Sequence, residues 1–396
     1  MTSPDILIAG AGIYGLSAAL ELHERGLRVT VVDPGPVPHP LAASTDISKV
    51  VRMEYGTDVE YMAMVDESID GWHRWNALLG ETLYHETGVT MFSRDEMAPG
   101  GFEFESFANL QARGHHPERL RGDALAKRFP AWNGDVWKDG FFHARGGFAE
   151  SGRVVAALAR HARNVGIEID EGQTIGALPD RATRVDSVST REGRTYTPGH
   201  LLVCAGAWTP WIVPELQAVM RASGHPVFHL KPQDPARFRP PEFVTFTADV
   251  SRTGWYGFPV HPREGVVKIA NHGVGTLTHP DRGARVVSPA DHHLLETMLP
   301  ETFPALAGCR VVYTRLCLYN DTLDGHLWID RHPRLANVTV GAGGSGHAFK
   351  MGPILGALMA DAVQGRTNPR LGRFRWRKIE AKDQEEARYY GPGDGN

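Results

Sequence analysis

A short apolar run, Ile6 to Ala9, leads directly into Gly10-Ala11-Gly12-Ile13-Tyr14-Gly15, and this junction constrains the chain more than any other feature. Leu16 to Leu22 follow with apolar residues at helical spacing, and Gly26 closes the helix. A second apolar run, Val29 to Val32, ends in Asp33. The order is strand, glycine turn, helix, strand, acid. Gly10 permits a tight turn, Gly12 admits a pyrophosphate against bare backbone, and Gly15 lets the helix lie on the strand. The helix N-terminus favours phosphate charge, and a carboxylate at Asp33 suits a ribose. A dinucleotide site is expected. FAD and NAD share the adenosine half that such a motif reads, so the motif does not separate them.

At roughly 150 residues per domain, 396 residues suggest two or three domains, and a chain this long buries a large core without disulfides or metals. Lys and Arg number 42 against 46 Asp and Glu, a balance that excludes a broadly basic nucleic-acid binder. Cys204, Cys309 and Cys317 are too few and too scattered for a disulfide framework and suit a reducing compartment. Asp5 interrupts the start where a signal peptide needs an apolar core, and no run of about 18 apolar residues offers a membrane span. Gly393 to Asn396 is no peroxisomal address. A cytoplasmic protein with no nucleic-acid or membrane partner is expected. The adjacent pairs His115-His116 and His292-His293 point apart on a helix or a strand, so no metal site is expected. The Gly-x-Ser-x-Gly elbow of a serine hydrolase is absent.

A helix is predicted from about Ser151 to Asn164, with Ser151 as N-cap and Val154, Val155, Leu158 and Ala162 on one face. Ile167 to Ile169 and Leu201 to Cys204 read as strands that return the chain to the nucleotide sheet. Between the halves lies an aromatic-rich excursion, 84–145, which reads as irregular. A second excursion, 217–318, carries the strand-like runs Phe243 to Phe246 and Val266 to Ile269. Val338 to Val340 enter another glycine loop, and Pro353 starts a helix that closes at Gly365. Both ends of the chain thus bring glycine turns to what is expected to be one ligand site. Arg373 to Lys378 reads as a surface segment packed back by Phe374 and Trp376, followed by a charged tail.

Several segments together resemble one family. They are the N-terminal turn, Ser48-Lys49-Val50-Val51-Arg52, Leu201 to Ala207, Trp255-Tyr256-Gly257-Phe258-Pro259, Val267-Lys268-Ile269, Arg315-Leu316-Cys317-Leu318-Tyr319, Ile329-Asp330-Arg331-His332-Pro333, and Gly341 to Lys350. In order and spacing, over about residues 4–380, they resemble the FAD-dependent amine oxidases related to D-amino-acid oxidase. The branch is that of monomeric sarcosine oxidase, N-methyltryptophan oxidase and fructosyl-amine (Amadori) oxidases. The resemblance implies an α/β fold, α+β overall. A Rossmann-like FAD-binding domain would take residues 1–83, 146–216 and 319–380. A substrate domain with a mixed or antiparallel sheet would take 84–145 and 217–318, leaving 381–396 as a tail.

The resemblance also implies roles. FAD would be held by Gly10, Gly12, Ile13, Tyr14, Gly15, Asp33, Ser44, Ser48, Lys49, Gly206, Gly343, Gly344, Gly346, His347 and Lys350, with Cys317 carrying it as a thioether. Arg52 and Lys350 would hold a substrate carboxylate, which suits an arginine fork. Lys268 would stand near the flavin and assist oxygen reduction; an ordinary edge-strand lysine is the plain alternative. Tyr256, His272, Tyr319 and His347 complete the catalytic set. Lys49 points to the Amadori branch and His347 to the sarcosine side, while Leu323 replaces a proline that sarcosine oxidase has before Asp324, so the substrate stays open.

The expected activity is oxidation of the C–N bond of a secondary amine or N-substituted amino acid to an imine, with O2 reduced to H2O2, by a monomer. A flavin dehydrogenase with another electron acceptor is the alternative, and Lys268 argues against it. A flavin-binding protein without turnover is the other alternative, and Lys268, Arg52 and Lys350 together argue against that.

Overall fold

The computed structural model describes residues 3–379 and 386–391, so most of the expected tail, with Gly393 to Asn396, lies outside the described residues. Strand Ile6–Ala9 pairs in parallel with Val29–Asp33 on one side and His200–Val203 on the other. The sheet continues through Glu168–Glu171 at one end and Val338–Gly343 at the other, where Leu327–Arg331 adds an antiparallel edge. Every residue of Ile6–Ala9 is buried, which is why the strand reads as a continuous apolar run. Ile6 and Ile8 face a core with Leu16, Leu22, Val155, Leu158, Leu355 and Leu358 of helices Ile13–Glu24, Ser151–Asn164 and Gly352–Gln364. Leu7 and Ala9 face a second core with Val203, Val213, Trp328 and Val340.

Met220–Lys231 is the spine of a larger, mixed sheet of nine strands. It pairs antiparallel with Arg310–Thr322 and with Val267–Asn271. Trp255–Gly257, Thr245–Ala248, Val89–Ser93, Asp139–His143 and Glu118–Arg121 extend it in that order, with one parallel junction between Thr245–Ala248 and Val89–Ser93. Side-chain alternation sorts this sheet into two faces. Phe228, Leu230, Phe246, Val267 and Ile269 enter an aromatic core with Trp132 and Phe303. Val227, Ala270, Cys317 and Tyr319 meet on the other face, and Lys268, opposite His229, is turned the same way. The fold class is as expected. A single strand, Arg310–Thr322, runs through positions 318 and 319.

Two local readings need correction. Residues 84–145 are not irregular: they hold helices Phe102–Ala112 and Asp123–Arg128 besides four strands. Gly140, at φ +149 inside Asp139–His143, breaks the alternation by which that strand would be recognised. Ser151 is not the N-cap of its helix; Glu150 is, and the Ser151 hydroxyl donates to the Asp46 carbonyl at 2.8 Å. A tertiary partner has taken the hydroxyl from the local cap. Phe374 is buried in the first core and Trp376 packs edge-on against Trp328, as expected of the basic stretch. No helix among the described residues is long and apolar enough to cross a membrane.

Candidate active site

The turn after Ile6–Ala9 leaves no room for side chains. A Cβ on Gly15 would lie 1.8 Å from the Gly10 carbonyl oxygen, and one on Gly10, at φ +107, would lie 2.4 Å from that of Cys204. The Asp33 carboxylate ties the turn by accepting from Ala11 N at 2.8 Å and Gly35 N at 3.1 Å, and Ser44 Oγ accepts from Ile13 N at 3.1 Å. Burial raises the Asp33 pKa, and these backbone donors oppose the rise. Gly10, Gly12, Ile13, Tyr14, Asp33 and Ser44 line a cavity of about 340 Å3 whose walls also include Lys49, Gly206, Tyr319, Gly343 and Gly346. Bare glycine backbone, a helix start and a buried carboxylate in one cavity fit a dinucleotide such as FAD.

A smaller cavity of about 60 Å3 adjoins the first and shares Lys49, Tyr319, Gly346 and Phe349 with it. Arg52, Tyr256, His272, His347 and Lys350 line it. Arg52 Nη1 donates to the Glu54 carbonyl, and its guanidinium lies 5.6 Å from the Tyr55 and Phe102 ring centres. Lys350 Nζ sits 4.7 Å from the Tyr55 ring centre. The Tyr256 and Tyr319 hydroxyls are 3.3 Å apart, and Tyr319 stacks on His225 at 3.9 Å. Burial raises the pKa of both tyrosines, so both are neutral. His347 Nε2 donates to the Gly325 carbonyl at 2.9 Å, which in a neutral ring leaves Nδ1 to accept from the Tyr55 hydroxyl at 2.9 Å.

Lys268 lines neither cavity. Its Nζ lies 2.6 Å from Asp46 Oδ2, donates also to the Ser48 carbonyl, and stands 4.8 Å from the Phe258 ring centre. Burial lowers its pKa to about 8; Asp46 pulls it up and Lys49 pushes it down. Asp46 lies well below the ordinary carboxylate range although burial opposes this, because Lys268, His229 and Lys49 surround it. Burial works against the Lys49 charge as well, but Cys317, Asp46 and Tyr256 hold its pKa above the ordinary value.

Most of the expected cofactor residues therefore meet in one cavity, with exceptions. Gly15 acts from behind, by close packing. Ser48 faces Lys268 through its carbonyl, and Gly344, at φ +79, packs against Leu327 and Ala348. His347 and Lys350 belong to the smaller cavity. Cys317 lines neither cavity; it is buried with its Sγ 3.5 Å from Lys49 Nζ. Sequence reasoning missed Asp46, which local spacing does not flag. It also missed the buried Glu54–His143 pair at 2.9 Å behind Arg52. The third omission is Arg388, which joins Asp321 at 2.9 Å and the Ser345 carbonyl at 2.8 Å while Tyr389 N bonds the His272 carbonyl.

The family model described as FAD dependent oxidoreductase (DAO) matches residues 5–362. Monomeric sarcosine oxidase of Bacillus sp. (strain B-0618) is 26% identical over 376 residues, covering 93% of this chain and 95% of that protein. L-saccharopine oxidase of Schizosaccharomyces pombe is 28% identical over 420 residues, covering 95% and 94%. The crystal structure of fructosamine oxidase (Amadoriase II) from Aspergillus fumigatus superposes with a TM-score of 0.82 at 25% identity, over 99% of this chain and 94% of that one. The glycine turn, the cavity behind it and the match along nearly the whole chain agree: the protein belongs to the DAO family of FAD dependent oxidoreductases.

Proposed function

We propose that the protein oxidises the C–N bond of a secondary amine or N-substituted amino acid to an imine, with O2 as electron acceptor and H2O2 as product. The observation that carries this reading is the adjacency of the two cavities: Arg52 and Lys350 line a small chamber that shares Lys49, Tyr319, Gly346 and Phe349 with the nucleotide cavity. Two cations suit a carboxylate, and the tyrosines and His272 leave a compact space for the amine beside it. The sarcosine, saccharopine and fructosamine oxidases similar to this chain are named for substrates of this kind. Bound FAD would supply the two-electron chemistry, accepting hydride from the carbon beside nitrogen and passing the electrons to O2.

The chain's own groups orient and charge the site. Arg52 and Lys350 fix the carboxylate, so the carbon is presented in one geometry. Tyr256 and Tyr319, both neutral, offer hydroxyls and not charges to the amine. Lys49 and Lys268 set a positive field that favours added negative charge at the flavin side. In this reading Cys317 carries the flavin covalently, and the larger sheet with its loops forms the substrate domain. Three free cysteines support a reducing, cytoplasmic setting, and a monomer acting on small molecules is proposed. A peroxide assay over N-methyl, cyclic and fructosyl amino acids tests the proposal. Flavin reduction by these amines without peroxide would favour the dehydrogenase.

A further inference from the structure

Asp46 is anchored independently of the lysine it meets. Its backbone carbonyl accepts from Gly152 N and from Ser151 Oγ, both at 2.8 Å, at the start of helix Ser151–Asn164. Its Oδ1 accepts from Ile47 N at 2.7 Å and lies 3.6 Å from His229 Nε2. Oδ2 is left for Lys268, 222 residues away in the chain on strand Val267–Asn271. The side chains of both partners are almost completely buried, at 1% and 2% exposure, so water does not screen the contact.

The charged and titratable groups facing Lys268 include Asp46, Lys49, Cys317 and its cross-strand neighbour His229, and Asp46 is faced by Lys268, His229 and Lys49. Two buried ammonium groups thus share one carboxylate. If the carboxylate is removed, both ammonium groups lose the opposite charge they share, and the charged form of the lysine in contact with it is disfavoured. Lys268 is the one in direct contact with the carboxylate, at 2.6 Å, so its charge depends on Asp46 most.

We propose that Asp46 is a positioning residue for flavin reoxidation, its carboxylate holding the Lys268 amine in place as an ammonium ion. The inference rests on the reading of the protein as an oxidase. Reoxidation passes two electrons and two protons from reduced flavin to O2, giving oxidised flavin and H2O2. Negative charge builds on oxygen during the transfer, and a fixed ammonium ion stabilises it where a neutral amine does not. Asp46 touches neither oxygen nor flavin in this account; it acts through Lys268.

The test uses holoenzyme carrying lysine labelled with carbon-13 at Cε, the Lys268 signal being identified by its loss in Lys268→Met. An opposite charge in contact shifts a lysine by about one to three units, so in Asp46→Asn the Lys268 titration falls at least about one pH unit below wild type. For a one-unit fall from about 8, stopped-flow reoxidation of Asp46→Asn is slowed about twofold at pH 7 and about tenfold at pH 9, with its pH profile displaced in the same direction. Anaerobic reduction by substrate changes far less, and Asp46→Glu recovers most of both the titration and the rate. An unchanged Lys268 titration in Asp46→Asn overturns the proposal, as does a shifted titration with unchanged reoxidation. If Asp46→Asn does not fold, the wild type and Asp46→Glu decide: a neutral Lys268 amine at pH 7 in either overturns it. Wild-type reduced flavin that ignores O2 at every pH defeats the oxidase reading, and the titration still reports whether Asp46 holds Lys268.

Discussion

The Nζ of Lys49 lies 3.5 Å from the Sγ of Cys317, joining the short strand Lys49–Val51 to the long strand Arg310–Thr322. Sulfur bonds to carbon as a thiolate, and Lys49 is the cation at hand. Cys317, Tyr319 and Lys268 share one sheet face because they fall on the same phase of a two-residue repeat across paired strands.

If Cys317 carries FAD, acid-precipitated protein stays yellow. Cys317→Ser then releases its flavin into the supernatant, and Lys49→Met lowers the fraction of flavin that is bonded. Colour retained in the Cys317→Ser pellet would place the bond elsewhere.

Lys268→Met slows reoxidation by O2 about tenfold or more, at least ~1.4 kcal/mol on the barrier, while anaerobic reduction changes less. In the wild type the ammonium form exists below a pKa of about 8 and the neutral amine above it. Reoxidation therefore falls as pH rises through about 8, and an anionic flavin alongside would move the fall upward. The methionine also strands the buried Asp46 carboxylate, which costs about 3–5 kcal/mol when a buried pair is broken. Lys268→Met with Asp46→Asn regains melting temperature without regaining the reoxidation rate.

Arg52→Met raises KM for carboxylate substrates. A hydrogen bond to a charged group contributes about 1.5–3 kcal/mol, so the rise is about tenfold to a hundredfold, with kcat less affected. The matching amide substrates, which lack the carboxylate charge, lose the distinction between variant and wild type. Arg52→Lys recovers part of the effect, since it restores charge without the fork. Equal losses for acid and amide would remove Arg52 from carboxylate binding.

Gly15→Ala drives a methyl group into the Gly10 carbonyl, 1.8 Å away. Backbone cannot yield as a side chain does, so the glycine turn shifts. The variant is expected to purify with most of its FAD missing, read as the flavin-to-protein absorbance ratio. A full complement of flavin would mean that the turn tolerates the displacement.

The nucleotide half of the site is readable in the sequence because its parts are contiguous. Strand, glycines, helix and Asp33 occupy residues 6–33, and local sterics alone require glycine at Gly10 and Gly15. Lys268 is conspicuous too, between Val267 and Ile269. What holds it is not legible, because Asp46 is 222 residues distant and nothing near it announces a buried ion pair. That the Ser48 carbonyl accepts from Lys268 is hidden for the same reason. The Ser151 hydroxyl looks like a cap and is captured by Asp46 instead, a tertiary bond overriding a local preference. His347 is visible as a residue type, but its anchors, Tyr55 and Gly325, emerge only once loops far apart in sequence are packed together.

Oxidation of a secondary amine by this protein is tested by a two-stage experiment on purified holoenzyme. The protein is first mixed without oxygen with N-methyl, cyclic and fructosyl amino acids in turn, and the flavin absorbance is followed. Oxygen is then admitted and peroxide is measured. At least one of these secondary amines is expected to bleach the flavin, and air then restores the colour with peroxide formed in an amount at least equal to the flavin. A flavin that no secondary amine bleaches would contradict it.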